Sequence, residues 1–277
     1  MAVNADLDWL HVERGAAPLL LSIPHAGTNL RDLKQRYTSP WLARKDADWH
    51  VPQLYSFARA LGATLVWTDI SRSVIDVNRD PSGKSLYPGQ ATTDLCPTTT
   101  FDGEPLYRSD AALQPQEIEA RRARYFSPYH AALTDELNRL QEQHAQVVIY
   151  DCHSIRSSIP RLFDGVLPQF NIGTNEGKSC APELAQAVHS ICAASDYSFV
   201  LNGRFKGGFI TRHFGRPEQR VHAVQMELAM RGYLREQPGE VSEATWPPPF
   251  EPAYAAPICN VLRDVLERCI SFARKRA

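Results

Sequence analysis

His25, Asp151, His153 and Glu227 each stand at or just beyond the end of a short apolar run. Leu19 to Ile23 precedes His25, Val147 to Tyr150 precedes Asp151 and His153, and Glu227 ends Val221 to Met226. One isolated imidazole in such a place is ordinarily a satisfied core or surface group. Convergence from three separate runs changes that reading. Two imidazoles and a carboxylate, with one position left for water, are what a catalytic zinc needs, because the ion lowers the water pKa to about 7. His25 and His153 are the natural nitrogen ligands. For the third, Asp46-Ala47-Asp48-Trp49-His50 offers three candidates, although carboxylates at a helix start also serve as caps and complement the macrodipole.

A second set of groups is cationic. Arg72 and Arg79, with Asn78 beside the latter, lie in Ser71-Arg72-Ser73-Val74-Ile75-Asp76-Val77-Asn78-Arg79-Asp80. A planar guanidinium pairs with both oxygens of a carboxylate, so these side chains suit an acidic substrate. The plainer reading is a surface salt bridge to Asp76 or Asp80. Arg204 and Arg212 lie in a glycine-rich loop, Asn202 to Gly215. Its spacing is not that of a phosphate-binding loop, and a substrate-carboxylate loop agrees better with the balanced charge of the chain.

These groups require a scaffold of strands that end together. Leu19 to Ile23, Ala63 to Thr68, Val147 to Tyr150, Tyr197 to Leu201 and Val221 to Met226 read as strands, and Ser73 to Val77 as a further extended segment. Helical spacing marks Val51 to Leu61 with a stop at Gly62, Glu117 to His144 with Pro128 kinking or splitting it, Pro182 to Ala194, and a closing helix bearing Leu262, Val265, Leu266, Cys269 and Phe272. Strands alternating with helices predict an α/β layer structure, a mixed, mostly parallel sheet with helices on both faces. Ligands of such sheets gather beyond the carboxyl ends of the strands. Between the elements, Asp80 to Tyr107 is a long stretch rich in Pro, Gly, Thr and Asp, the place for a functional loop or lid.

Composition narrows the class. With 277 residues, 43% of them hydrophobic and 22% charged, one core suffices, so residues 1–277 are expected to form a single domain. Thirty Lys and Arg against 31 Asp and Glu give a net charge of -1, which supplies no field for nucleic acid. Apolar runs such as Pro18 to Pro24 fall far short of the roughly 20 residues that span a bilayer. Met1 to Asp8 lacks the basic and apolar regions of a secretory signal. Six scattered cysteines without a CxxC pair fit reduced thiols, and a cytoplasmic location is expected.

Ser22-Ile23-Pro24-His25-Ala26-Gly27, Asp46-Ala47-Asp48-Trp49-His50, Ser71-Arg72 through Asn78-Arg79-Asp80, Asp151-Cys152-His153-Ser154 and Gln225-Met226-Glu227-Leu228 together resemble the N-formylglutamate amidohydrolases of histidine catabolism. The match runs in order across nearly the whole chain. That family is similar in turn to the zinc carboxypeptidases, which implies their mixed sheet and one zinc ion per chain. By this resemblance His25 and His153 match the zinc histidines, Asn78 and Arg79 the pair that grips a substrate carboxylate, and Glu227 the catalytic glutamate. One departure stands out. Carboxypeptidases use His-x-x-Glu, whereas three residues after His25 this chain has Thr28. Asp48 is the expected replacement, with His50 in reserve. The implied reaction is hydrolysis of an N-formyl amino diacid such as N-formyl-L-glutamate. Glu227 takes a proton from the attacking water, and Arg72, Arg79, Arg204 and Arg212 meet the two carboxylates. A carboxypeptidase, a deacylase of another N-acyl amino acid, or a non-catalytic binder of acidic metabolites is the alternative.

Overall fold

The run Leu19–Ile23 forms β2, buried at every position as a continuous apolar strand between two layers requires. In the computed structural model, which describes residues 7–84, 89, 92–237 and 241–275, it lies inside a seven-stranded sheet. The other strands are β1 (Leu10–Glu13), β3 (Thr64–Thr68), β4 (Val147–Ile155), β5 (Phe170–Gly173), β6 (Phe199–Leu201) and β7 (Val221–Ala229). Their order is β1-β3-β2-β4-β7-β5-β6. β3, β2, β4 and β7 run parallel, while β1 on β3 and β5 on β7 are antiparallel. The sheet is therefore mixed around a parallel centre, as expected.

Alternation along the central strands separates two cores. Leu19, Leu21, Val148, Tyr150, Val224 and Met226 point to one face, where α5 (Pro182–Ala193) and α7 (Pro252–Arg274) cover them. Leu20, Val147, Ile149, Val221 and Ala223 point to the other, against α4 (Ser127–Gln141). Each fully buried aliphatic or aromatic side chain contributes roughly 1.5–3 kcal/mol. On this second face the strands change character towards their carboxyl ends. Asp151 and His153 follow Ile149 on β4, and Gln225 and Glu227 follow Ala223 on β7, all buried. Period two alone puts these polar groups in one patch.

Several expectations need correction. Ser73 to Val77 is a buried turn, because Ser71 and Asp76 hydrogen-bond neighbouring backbone N–H groups of Ser73 and Asn78 and so compete with a ladder. Val51 to Leu61 is not one helix. It divides into α2 (Val51–Leu54) and a 3-10 turn (Ser56–Arg59), after α1 (Leu42–Lys45), and stops at Gly62 with φ +74 as a C-terminal glycine should. Two strands, β1 and β5, were not foreseen. Pro128 neither ends nor splits its helix: α3 (Pro115–Arg121) runs into α4 through a π turn at Arg122–Phe126, the widening falling just before the proline that cannot donate to the carbonyl of Arg124. α6 (Phe209–Phe214) occupies part of the glycine-rich loop. Within the Asp80 to Tyr107 stretch, residues 85–88, 90 and 91 lie outside the described residues, as do residues 1–6 of the amino-terminal stretch. Among the described residues no helix is long and apolar enough to cross a membrane.

Candidate functional site

His25 leaves the end of β2 through Pro24, and its carbonyl accepts the backbone N–H of Asp48 at 2.9 Å. That bond draws the Asp46 to His50 stretch under the sheet's carboxyl edge. Parallel pairing of β4 with β7 sets His153 opposite Glu227 and Asp151 opposite Gln225. One ligand atom from each of His25, Asp48 and His153 thereby converges in a buried group, all within 4.8 Å of one another.

The protonation states follow from the partners on the far side of each ring. His25 Nε2–H donates to Asp76 Oδ1 at 2.7 Å, and His153 Nε2 lies 3.0 Å from Asp151 Oδ2. For His25 the carboxylate fixes the tautomer and leaves Nδ1 carrying a lone pair towards the centre, whereas His153 Nε2 also meets Asn78 Nδ2 at 2.9 Å and its Nδ1 faces Asp48. Asp48 Oδ2 lies 3.8 Å from His25 Nδ1 and 3.2 Å from His153 Nδ1, and it accepts the Ser154 N–H at 3.0 Å. Lone pairs facing one another at that range repel unless a cation or a proton lies between them. His25 Nδ1 is buried and has no hydrogen-bond partner. Ligands about 2.1 Å from a tetrahedral ion lie roughly 3.4 Å apart, so the donor set can hold a metal ion.

Electrostatics agree. Burial lowers His25, with Arg72 adding to the effect, which favours the neutral ring that a ligand needs. For His153, burial acts downwards but is outweighed by Asp151 and Asp48, which hold it well above the usual histidine range. Burial pushes Asp48 up, yet His153, His25 and Arg72 bring it below the ordinary carboxylate value.

Glu227 faces this cluster. Burial, reinforced by the Asp48 charge, raises its carboxyl to about 7. Gln225 Nε2 donates to Glu227 Oε2 at 3.2 Å while its Oε1 accepts the Gly208 N–H at 2.6 Å, so the carboxylate is held in one orientation. Asn78 is fixed from the same side: Oδ1 accepts the Ile210 N–H at 2.7 Å and Nδ2 donates to Asp151 Oδ2 at 3.3 Å. A Cβ at position 208 would lie 2.4 Å from Asn78 Nδ2, which is why glycine stands there.

The cavity over the cluster is lined by His25, His153, Glu227, Asn78, Arg72, Arg79 and Arg204, with Phe101, Ile155, Leu162 and Phe205 closing it. Arg72 is buried against Asp76 (2.7 Å) and Asp48 (3.5 Å), not paired at the surface. Arg79 reaches Asp76 at 3.7 Å and donates to the Thr93 carbonyl and hydroxyl at 3.0 Å. Arg204 Nε donates to the Leu162 carbonyl at 2.9 Å. Arg212 is not among the described residues lining this cavity, and its Nε donates to the Gly207 carbonyl at 2.8 Å. His50 also lies apart, with Nε2 3.2 Å from the Pro248 carbonyl.

Neither aspartate caps a helix through its side chain; His50 itself, at φ +63, precedes α2. Asp46 instead accepts the Phe101 N–H at 2.6 Å and pairs with Arg156. Sequence reasoning missed the positions of Asp76, Gln225 and Phe101. For Asp76 the available signal was a carboxylate midway between two arginines.

The sequence family described as N-formylglutamate amidohydrolase matches residues 17–234. An N-formylglutamate deformylase of Pseudomonas aeruginosa is 46% identical over 273 residues, covering 96% of this chain and 98% of that protein. Another from Pseudomonas putida is 45% identical over 269 residues, 96% of this chain and 97% of its own length. In three dimensions the chain is similar to an N-formylglutamate amidohydrolase from Ralstonia eutropha JMP134, with a TM-score of 0.74, 24% identity and coverage of 96% and 97%. A gene product of Agrobacterium tumefaciens gives 0.71 with 17% identity and 99% coverage of each chain.

Proposed function

Because the chain belongs to the N-formylglutamate amidohydrolase family, we propose that it hydrolyses N-formyl-L-glutamate to formate and L-glutamate with a zinc ion held by His25, Asp48 and His153, as a step of histidine catabolism. The observation that carries the reading is the convergence of three buried ligand atoms beside Glu227 in a cavity bordered by arginines. When bound, the metal supplies Lewis acidity, polarising the formyl carbonyl and easing loss of a proton from water.

The chain's own groups do the rest. Glu227, oriented by Gln225, accepts the proton of the attacking water and returns it to the departing amine. Arg72 lies beside ligand Asp48 and neutralises charge gathering on the former carbonyl oxygen. Arg79 and Arg204, with the Asn78 amide, bind the carboxylates of the glutamate half. A formyl group offers no side chain for recognition, so these contacts with the amino diacid supply the affinity.

Formate release from N-formyl-L-glutamate, measured for the protein as purified, after chelation and after return of zinc, tests the proposal. Release that chelation abolishes and zinc restores is expected. No release with any added divalent metal would overturn it.

A further inference from the structure

Beside the two large cores lies a small third cluster of Phe101, Ile155, Ile159, Leu167 and Ala229, with Leu162 and Phe205 packed against it. It stands at the carboxyl ends of β4 and β7, and part of it faces the cavity above the histidines. Phe101 is the member built in most firmly. Its ring lies 4.7 Å from the Arg72 guanidinium, and its N–H donates to Asp46 Oδ2 at 2.6 Å. The turn that carries it is closed by the Thr100 N–H on the Glu104 carbonyl at 2.9 Å. Lys45 joins Asp102 and Glu104 at 2.6 Å each, and Arg156 ties Asp102 to Asp46.

Asp46 is two residues before ligand Asp48, and Arg156 three residues after ligand His153. The phenyl ring is therefore tied to the same backbone that carries the metal-binding groups. Neither Lys45 nor Arg156 lines the cavity. Partly buried charges of this kind are costly to assemble, and what this network produces is a fixed position for Phe101.

On these grounds we infer that Phe101 sets which acyl group the site accepts. The inference rests on the deformylase reading given above. The reacting carbon must lie at the ligand cluster beside Glu227, and the amino diacid extends towards Arg79 and Arg204. The remaining substituent on the acyl carbon is then directed at the Arg72 and Phe101 wall. On this reading the wall admits hydrogen and turns methyl away.

The test compares kcat/KM for N-formyl-L-glutamate and N-acetyl-L-glutamate in the zinc-loaded parent, Phe101→Ala and Phe101→Leu. One carbon group in an apolar pocket is worth roughly 10- to 200-fold in discrimination. The formyl-to-acetyl ratio is expected to fall by that factor in Phe101→Ala and by less in Phe101→Leu. Where the alanine variant loses metal or fails to fold, the leucine variant decides. A ratio within twofold of the parent's in the folded variants overturns the inference while leaving deformylation standing. A parent that releases no formate at all instead removes the reading beneath it.

Discussion

Asp76→Asn isolates the group that joins the metal-binding half of the site to its arginines. One carboxylate takes the His25 Nε2–H at 2.7 Å, the Asn78 N–H at 2.9 Å, Arg72 at 2.7 Å and Arg79 at 3.7 Å. Burial raises Asp76, but Arg79, His25 and Arg72 hold it well below the usual carboxylate range. An asparagine keeps the shape and one acceptor oxygen, enough for His25 and Asn78. Its NH2 then meets the Arg72 guanidinium, donor against donor, and the buried cation keeps only Asp48. Removing one partner of a buried pair costs about 3–5 kcal/mol, against about 0–1 for an exposed pair. Loss of the carboxylate behind a ligating histidine costs roughly 10- to 100-fold in metal affinity or activity. A depressed pKa contributes stability above the unfolded value of about 3.9 and loses it as pH falls through the folded value. Between pH 5 and 8 the full loss should therefore appear. Urea unfolding of the chelated proteins and competition with a zinc indicator measure the two effects. A stability change below about 1 kcal/mol with zinc affinity within twofold of the parent's would refute the coupling.

Three further outcomes are expected. His25→Ala and Asp48→Ala should emerge from gel filtration without zinc, whereas His50→Ala should retain it; stoichiometric metal in the first two would relocate the site. Glu227→Gln should keep its metal and lose roughly 10²- to 10⁴-fold in kcat. In the metal-free state that variant should also gain on the parent as pH rises. A carboxyl raised to about 7 contributes stability below its unfolded pKa and loses it as pH climbs through the folded value, a swing of roughly 3 kcal/mol that glutamine lacks; a stability difference that stays flat from pH 5.5 to 8 would contradict this. Arg79→Ala should lower kcat/KM on N-formyl-L-glutamate by roughly 10- to 150-fold, and by less on a formamide lacking the matching carboxylate. Unchanged kcat/KM on the diacid would remove Arg79 from substrate binding.

What could be read from the sequence was whatever depends on period and on strand ends. β2, β4 and β7 announce themselves as apolar runs, and the switch from Ile149 to Asp151 and His153 on one face follows from alternation alone. β5 stayed hidden because it has four residues, one of them Asn171, whose amide is turned inward to the Pro168 and Glu227 carbonyls. The edge strand β1 is only half-buried, which leaves its apolar pattern weak. Ser73 to Val77 has a strand's composition, yet local side-chain bonds made it a turn. The connections of Asp46 and Asp76 run to Phe101 and His25, far along the chain, and no local spacing encodes such partners. The helix-capping reading of Asp46 and Asp48 gave way for the same reason: tertiary contacts claimed both carboxylates.

The ladder between β4 and β7 also governs which changes of chain length the protein can absorb. His153 and Glu227 face each other because Val147 starts level with Val221 and every later pair keeps step. One residue inserted into β4 ahead of His153 would leave the ladder able to form but send the imidazole into the opposite core, since facing reverses with each position. Two inserted residues would restore the face yet displace the ring by about 6.6 Å along the strand. Gains and losses of residues among descendants of this gene should accordingly collect in the connections and spare these two strands.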